Sequence, residues 1–174
     1  PAGECIVVRI TIENNMVETL GDDQISLAVD GGRGYYIPVG HRQGDQLPLN
    51  VVLAALQEPL TNQRIPKAGH NLKYDLIVLA RYGLRVRPLA FDSMIAEWLI
   101  NPASRNLGLK NLAWVRLDYR MTEIEELIGK GKKQISMAEV AVESVAPYAV
   151  ADAESTLRLM PLQIQELKRV NGEK

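Results

Sequence analysis

Tyr148-Ala149-Val150-Ala151-Asp152 opens the last long helical pattern of this 174-residue chain. Residues four apart share one face of a helix, so the Tyr148 hydroxyl and the Asp152 carboxylate address the same point in space. Upstream, Asn71-Leu72-Lys73-Tyr74-Asp75 repeats the arrangement, with Asn71 and Asp75 four apart. Alone, either piece is ordinary: a tyrosine and an aspartate at this spacing are usually a half-buried ring beside a solvated carboxylate. Together they put two carboxylates on two helices, one with a tyrosine beside it. That combination suits a metal-assisted hydrolytic site.

The length fits one domain with a sizeable core, spanning residues 1–174. A formal net charge of −1 excludes a generally basic nucleic-acid coat but not a local site with basic groups at its rim. The lone cysteine, Cys5, excludes an internal disulfide and a cysteine-built zinc site. Two histidines, His41 and His70, leave no histidine-rich metal site, and both read as surface residues. No apolar run is long enough to span a membrane and no signal-peptide pattern is present, so a cytoplasmic location without a membrane partner is expected. The start at Pro1 and the charged tail from Glu166 to Lys174 suggest a piece of a longer protein.

Local signals give the elements around the two motifs. Cys5 to Ile12 is rich in β-branched residues and ends in Glu13-Asn14-Asn15, which predicts a strand and a turn. Gln24 to Val29 and Gly34 to Val39 are further strands, joined by the turn Asp30-Gly31-Gly32-Arg33. Three strands with short connections imply an antiparallel meander. Helical spacing runs from Leu47 to Leu60, and a short strand from Arg64 leads to Gly69-His70-Asn71. Asn71 is positioned to cap a helix ending at Gly83. Leu89 to Asp92 is extended, and Asp92 or Ser93 caps the helix Met94 to Leu99. Leu107 to Trp114 is helical, and Trp98 and Trp114 read as core. Ser136-Met137-Ala138-Glu139 fits a capping box. The last helix runs from about Glu143 to Lys168, kinked or interrupted at Pro161. This alternation predicts an α/β domain whose mixed sheet has antiparallel first strands and flanking helices.

The motifs also carry a resemblance. Gly69-His70-Asn71-Leu72-Lys73-Tyr74-Asp75 resembles the second exonuclease motif of the 3′–5′ proofreading domains of bacterial family A DNA polymerases. Tyr148 to Ala153 resembles their third motif in its tyrosine variant. Phe91-Asp92-Ser93-Met94, Leu112-Ala113, the glycine-lysine loop Ile128 to Gln134 and Gly32 to Pro38 stand where those domains have similar residues. The likeness covers roughly Gln24 to Leu167. It implies a ribonuclease H-like 3′–5′ exonuclease fold, with a polymerase domain following in the same chain. The first motif departs. The family has Asp-x-Glu at the end of its first strand, whereas this chain reads Val8-Arg9-Ile10-Thr11-Ile12-Glu13-Asn14. Glu13 then stands at the glutamate position and Thr11 at the aspartate position.

The family's chemistry uses two divalent ions, Mg2+ or Mn2+, about 4 Å apart. Two such ions repel by roughly 16 kcal/mol at an effective dielectric of about 20, and carboxylates must offset this. The resemblance assigns Asp75, Asp152 and Glu13 as metal ligands and Tyr148 as the residue orienting the attacking water. The missing aspartate contacts both ions in the family, and a threonine hydroxyl brings no charge and is a poor magnesium ligand. Weak or absent nuclease activity is therefore expected, with a structural role and contact with single-stranded or primer-terminus DNA. Lys130, Lys132 and Lys133 are candidate phosphate contacts or a solvated loop. Tyr74 is a base-stacking candidate or packs between helices. Asn71 reads as a cap before a substrate ligand, although it stays in the candidate DNA set. Two rivals remain: an active exonuclease completed by a carboxylate such as Glu18, and a free-standing exoribonuclease of the same superfamily.

Overall fold

In the computed structural model, residues 5–11, 24–29 and 32–172 are described. The expected turn at Glu13 to Asn15, the acids Glu13 and Glu18, and the end of the tail lie outside them. The sheet has five strands: β1 (Ile6–Thr11), β2 (Gln24–Val29), β3 (Arg33–Ile37), β4 (Lys67–Gly69) and β5 (Leu89–Asp92). Their order is β3-β2-β1-β4-β5, which leaves β1 central. The first three pair antiparallel, as the short connections imply. β4 pairs parallel with both β1 and β5. The helices are α1 (Leu49–Thr61), α2 (Lys73–Arg81), α3 (Ser93–Ile100), α4 (Leu109–Leu117), α5 (Ile124–Ile128) and α6 (Val142–Val170). Short 3-10 turns occupy Gly131–Lys133 and Met137–Glu139, and the second carries the expected capping box.

The sheet is covered on both faces. On one, Ile25 packs with Val52, Leu56 and Leu60 of α1, Val78 and Leu79 of α2, and Leu84 and Val86. Each such side chain removed from water contributes about 1.5–3 kcal/mol. On the other, Cys5, Val7, Ala28 and Ala68 meet Ala153 of α6. Small residues dominate there, so the long helix lies close to the strands. Gly34 is the closest approach: a Cβ at that position would sit 2.3 Å from Val150 Cγ1. α4 docks on α6 through Leu109, Leu112, Ala113 and Leu159.

Three expectations fail for physical reasons. α6 passes through both Pro147 and Pro161 without interruption. Its buried stripe, from Val145 through Leu159 to Gln163, supplies tertiary packing that outweighs the two lost backbone bonds. Trp98 and Trp114 are not core: they are 51% and 57% exposed. α3 instead turns Ala96 and Glu97 inward. Glu97 receives Arg116 Nε at 2.5 Å and Nη2 at 3.0 Å, and Gln163 Nε2 at 3.0 Å. Arg116 also donates to Glu166 at 2.9 Å. This polar junction joins α3, α4 and α6 on the inward side of α3, while Trp98 faces out. His41 and His70 are buried rather than superficial. His41 Nδ1 donates to the Val140 carbonyl at 3.0 Å, and its Nε2 accepts the Tyr36 hydroxyl.

Candidate functional site

The site is built where α6 faces the β4-to-α2 junction. α6 presents Tyr148 and Asp152 one turn apart, and both line a cleft of about 340 Å3. His70 and Asn71 form the opposite wall, and Lys110 and Asn111 from the first turn of α4 close one side. The i, i+4 reading of Tyr148 and Asp152 thus holds in three dimensions.

The junction wall is held by Asp92. Its Oδ1 accepts from the backbone N–H groups of Asn71 at 3.0 Å, Met94 at 2.9 Å and Ile95 at 3.3 Å, and its Oδ2 accepts from Leu72 at 2.8 Å. One carboxylate thereby caps the start of α3 and ties to it the turn that leads into α2. Asp92 is the cap expected for α3. Asn71 does not take the capping role expected of it: the N-cap of α2 is Leu72, and no side chain caps the helix from there. Asn71 instead takes a left-handed backbone, φ 58°, which asparagine tolerates better than most residues. This turns its side chain over to the cleft. His70 is fixed beside it by a 2.8 Å hydrogen bond between its Nδ1 and Ser93 Oγ.

Asp75 lies in the first turn of α2 and is 1% exposed; Asp152 is 5% exposed. Asp75 is not among the residues lining the cleft. Tyr74, Lys130, Lys132 and Lys133 also lie outside the lining. Tyr74 is half exposed rather than packed between helices, with Lys73 Nζ 5.1 Å from its ring centre. Lys130 pairs with Glu125 at 3.0 Å, which raises its pKa. Lys132 and Lys133 stand exposed on their 3-10 turn.

Lys110 is a cleft-lining side chain that the sequence reading did not single out. Its Nζ donates to Glu123 Oε2 at 2.8 Å and lies 5.4 Å from the centre of the Tyr148 ring. The Lys110 hydrogen bond holds the Glu123 carboxyl below its ordinary pKa. A usable signal existed in Gly108-Leu109-Lys110-Asn111, immediately before the Leu112-Ala113 pair of the resemblance.

Among the described residues, no group of three or more histidine, cysteine, aspartate or glutamate side chains is placed to hold a metal ion. Two divalent ions need several carboxylates around them. The described residues offer Asp75 and Asp152, with a lysine in the adjoining cleft.

A family model described as a 3′–5′ exonuclease matches residues 13–166. The chain belongs to the 3′–5′ exonuclease family of family A DNA polymerases. DNA polymerase I of Chloroflexus aurantiacus is 48% identical over 137 residues, covering 78% of this chain and 14% of that protein. DNA polymerase I of Pseudomonas aeruginosa is 32% identical over 151 residues, covering 84% of this chain and 16% of that one. The chain therefore spans about a seventh of the length of these relatives. Among solved structures, Brucella melitensis NrnC superposes with a TM-score of 0.71 at 22% identity, over 98% of this chain and 76% of that one. The fold is that of the ribonuclease H-like 3′–5′ exonucleases. The family match begins after β1, so the central strand lies outside it.

Proposed function

We propose that this chain is the exonuclease module of a longer DNA polymerase, with its own 3′–5′ nuclease activity weak or lost. The retained fold supports the polymerase domain of the same chain and contacts single-stranded or primer-terminus DNA. One observation carries the reading: β1, the central strand, reads Ile-Val-Val-Arg-Ile-Thr and holds no carboxylate. The family's first motif belongs at the end of that strand. With Thr11 at the aspartate position, a pair of divalent ions would face their mutual repulsion without that charge, leaving Asp75 and Asp152 among the described residues and Glu13 beyond β1. Tyr148 then has no ion-bound water to orient. The exposed Tyr74, Lys132 and Lys133 suit contact with a passing strand through stacking and phosphate attraction.

The test is trimming of a 3′-labelled single-stranded DNA in Mg2+ and then Mn2+, with Asp152→Ala alongside as the contamination control. Trimming no faster than that of the variant supports the reading. Metal-dependent trimming that vanishes in the variant overturns it and restores an active site completed by Glu13 or Glu18. Faster trimming of RNA than of DNA would favour the exoribonuclease reading instead.

A further inference from the structure

The cleft beside Asp152 also carries a basic side chain and two side-chain amides. Lys110 is the one lysine or arginine among its described lining residues. It is not a waving surface lysine: its side chain is 28% exposed, and Glu123 and the Tyr148 ring hold its ammonium from two sides. Asn71 and Asn111 line the same space and bring amide N–H donors. The first turn of α4 contains no acidic residue, and its N-cap, Gly108, supplies no side-chain cap. Gly108, Leu109, Lys110 and Asn111 all border the cleft, so the uncompensated start of that helix adds partial positive charge there. The one carboxylate in the lining is Asp152, which alone would repel a phosphate.

We infer that Lys110 is a phosphate-binding residue: the cleft holds a phosphodiester of a single DNA strand through the Lys110 ammonium and the two asparagine amides, with no divalent ion as the bridge. The inference rests on the DNA-contacting role proposed above and names the residue that carries it. Lys110 shares its charge between Glu123 and the cleft that Asp152 also lines, so the ammonium must turn partly from Glu123 to hold the phosphate. Tyr148, lying under the lysine, keeps its ring as a wall of the same cleft.

The test is fluorescence anisotropy of a labelled oligothymidylate with the 174-residue chain, in EDTA and across a range of NaCl. Lys110→Met is expected to weaken binding roughly tenfold, as loss of one charge-assisted contact. It also lowers the slope of log affinity against log salt by about 0.7, one phosphate contact on a single strand. Lys110→Arg retains both quantities near their original values. Glu123→Gln releases the ammonium from its ion pair and tightens binding about two- to threefold, which a merely structural role for Lys110 would not produce. Replacing EDTA by Mg2+ changes the affinity little, and inorganic phosphate competes only at far higher concentration than the oligonucleotide. Lys110→Met binding with unchanged affinity and slope overturns the inference while the DNA-contacting role stands. Binding that requires Mg2+ also overturns it. Failure of the unaltered chain to bind the oligonucleotide in either buffer overturns both.

Discussion

Gly34→Ala tests how closely β3 and α6 are fitted. The new Cβ would lie 2.3 Å from Val150 Cγ1, 3.2 Å from Glu154 Oε1 and 3.3 Å from Glu154 Cγ. Carbon atoms in contact sit about 3.5–4.0 Å apart, so the strand and helix must separate by more than about 1 Å or Val150 must turn. Valine in a helix keeps one χ1 rotamer about 90% of the time, so turning it is costly. Overpacking of this kind destabilises by about 1–3 kcal/mol, and the depth of this overlap places Gly34→Ala at about 2–3 kcal/mol. Urea unfolding reads the loss as a lower midpoint with an unchanged slope. Val150→Ala removes the atom that is struck. In that background the cost of Gly34→Ala should fall below about 1 kcal/mol, a coupling of about 1–2 kcal/mol between contacting residues. The same cost in both backgrounds refutes the reasoning. Because Val150 lies between Tyr148 and Asp152 on α6, Gly34→Ala should also weaken oligonucleotide binding, and Val150→Ala should restore it.

Arg116→Met strands the buried Glu97 carboxylate beside Gln163 and should cost about 3 kcal/mol or more in urea unfolding; a loss under about 1 kcal/mol would mean that water replaces the guanidinium. Asp92→Ala removes the acceptor shared by four backbone N–H groups and should cost about 2–3 kcal/mol, with Asp92→Asn recovering part of it. Burial raises the Tyr36 phenol above its ordinary value of 10.0, so above that pH the unfolded chain loses this proton while the folded chain keeps it. The unaltered protein should therefore lose about 1.4 kcal/mol of stability per pH unit relative to Tyr36→Phe once past pH 10, with no such difference at pH 8. Parallel curves for the two proteins between pH 9 and 11 would contradict that assignment.

The sheet was legible where the chain alternates and turns sharply. β2 and β5 have the bounds read from the sequence, β2 ahead of the Asp30-Gly31-Gly32 turn and β5 ending on the capping aspartate. The Tyr148–Asp152 face was legible because helix geometry fixes it locally. What escaped depends on partners distant in sequence. Leu-Lys-Asn-Leu reads as a solvated helix until α4 is laid across α6, and only then does Lys110 meet Tyr148. Trp98 looked like core because its apolarity is visible in sequence, whereas the partners that hold Glu97 inward, Arg116 and Gln163, are distant in sequence. Asn71 looked like a cap because nothing nearby in sequence announces that Asp92 binds the backbone N–H groups of Asn71 and Leu72 from the end of β5. His41 and His70 looked superficial for a similar reason: their acceptors and donors, Val140 and Ser93, arrive with later elements.

The last element also decides how the chain must be made. The sheet face of Val7, Ala28 and Ala68 is covered by Ala153, which lies about 60 residues beyond the end of β5. At about 5–20 residues per second, a ribosome completes all five strands several seconds before that helix is synthesised. Throughout the interval one apolar face of a nearly finished sheet has no cover. Narrow residues such as alanine keep that face small and flat, which limits what a chaperone or a second nascent chain can grip. A stall between Asp92 and Val142 would hold the protein at its most aggregation-prone point, and relief comes only with the helix that also carries Tyr148 and Asp152.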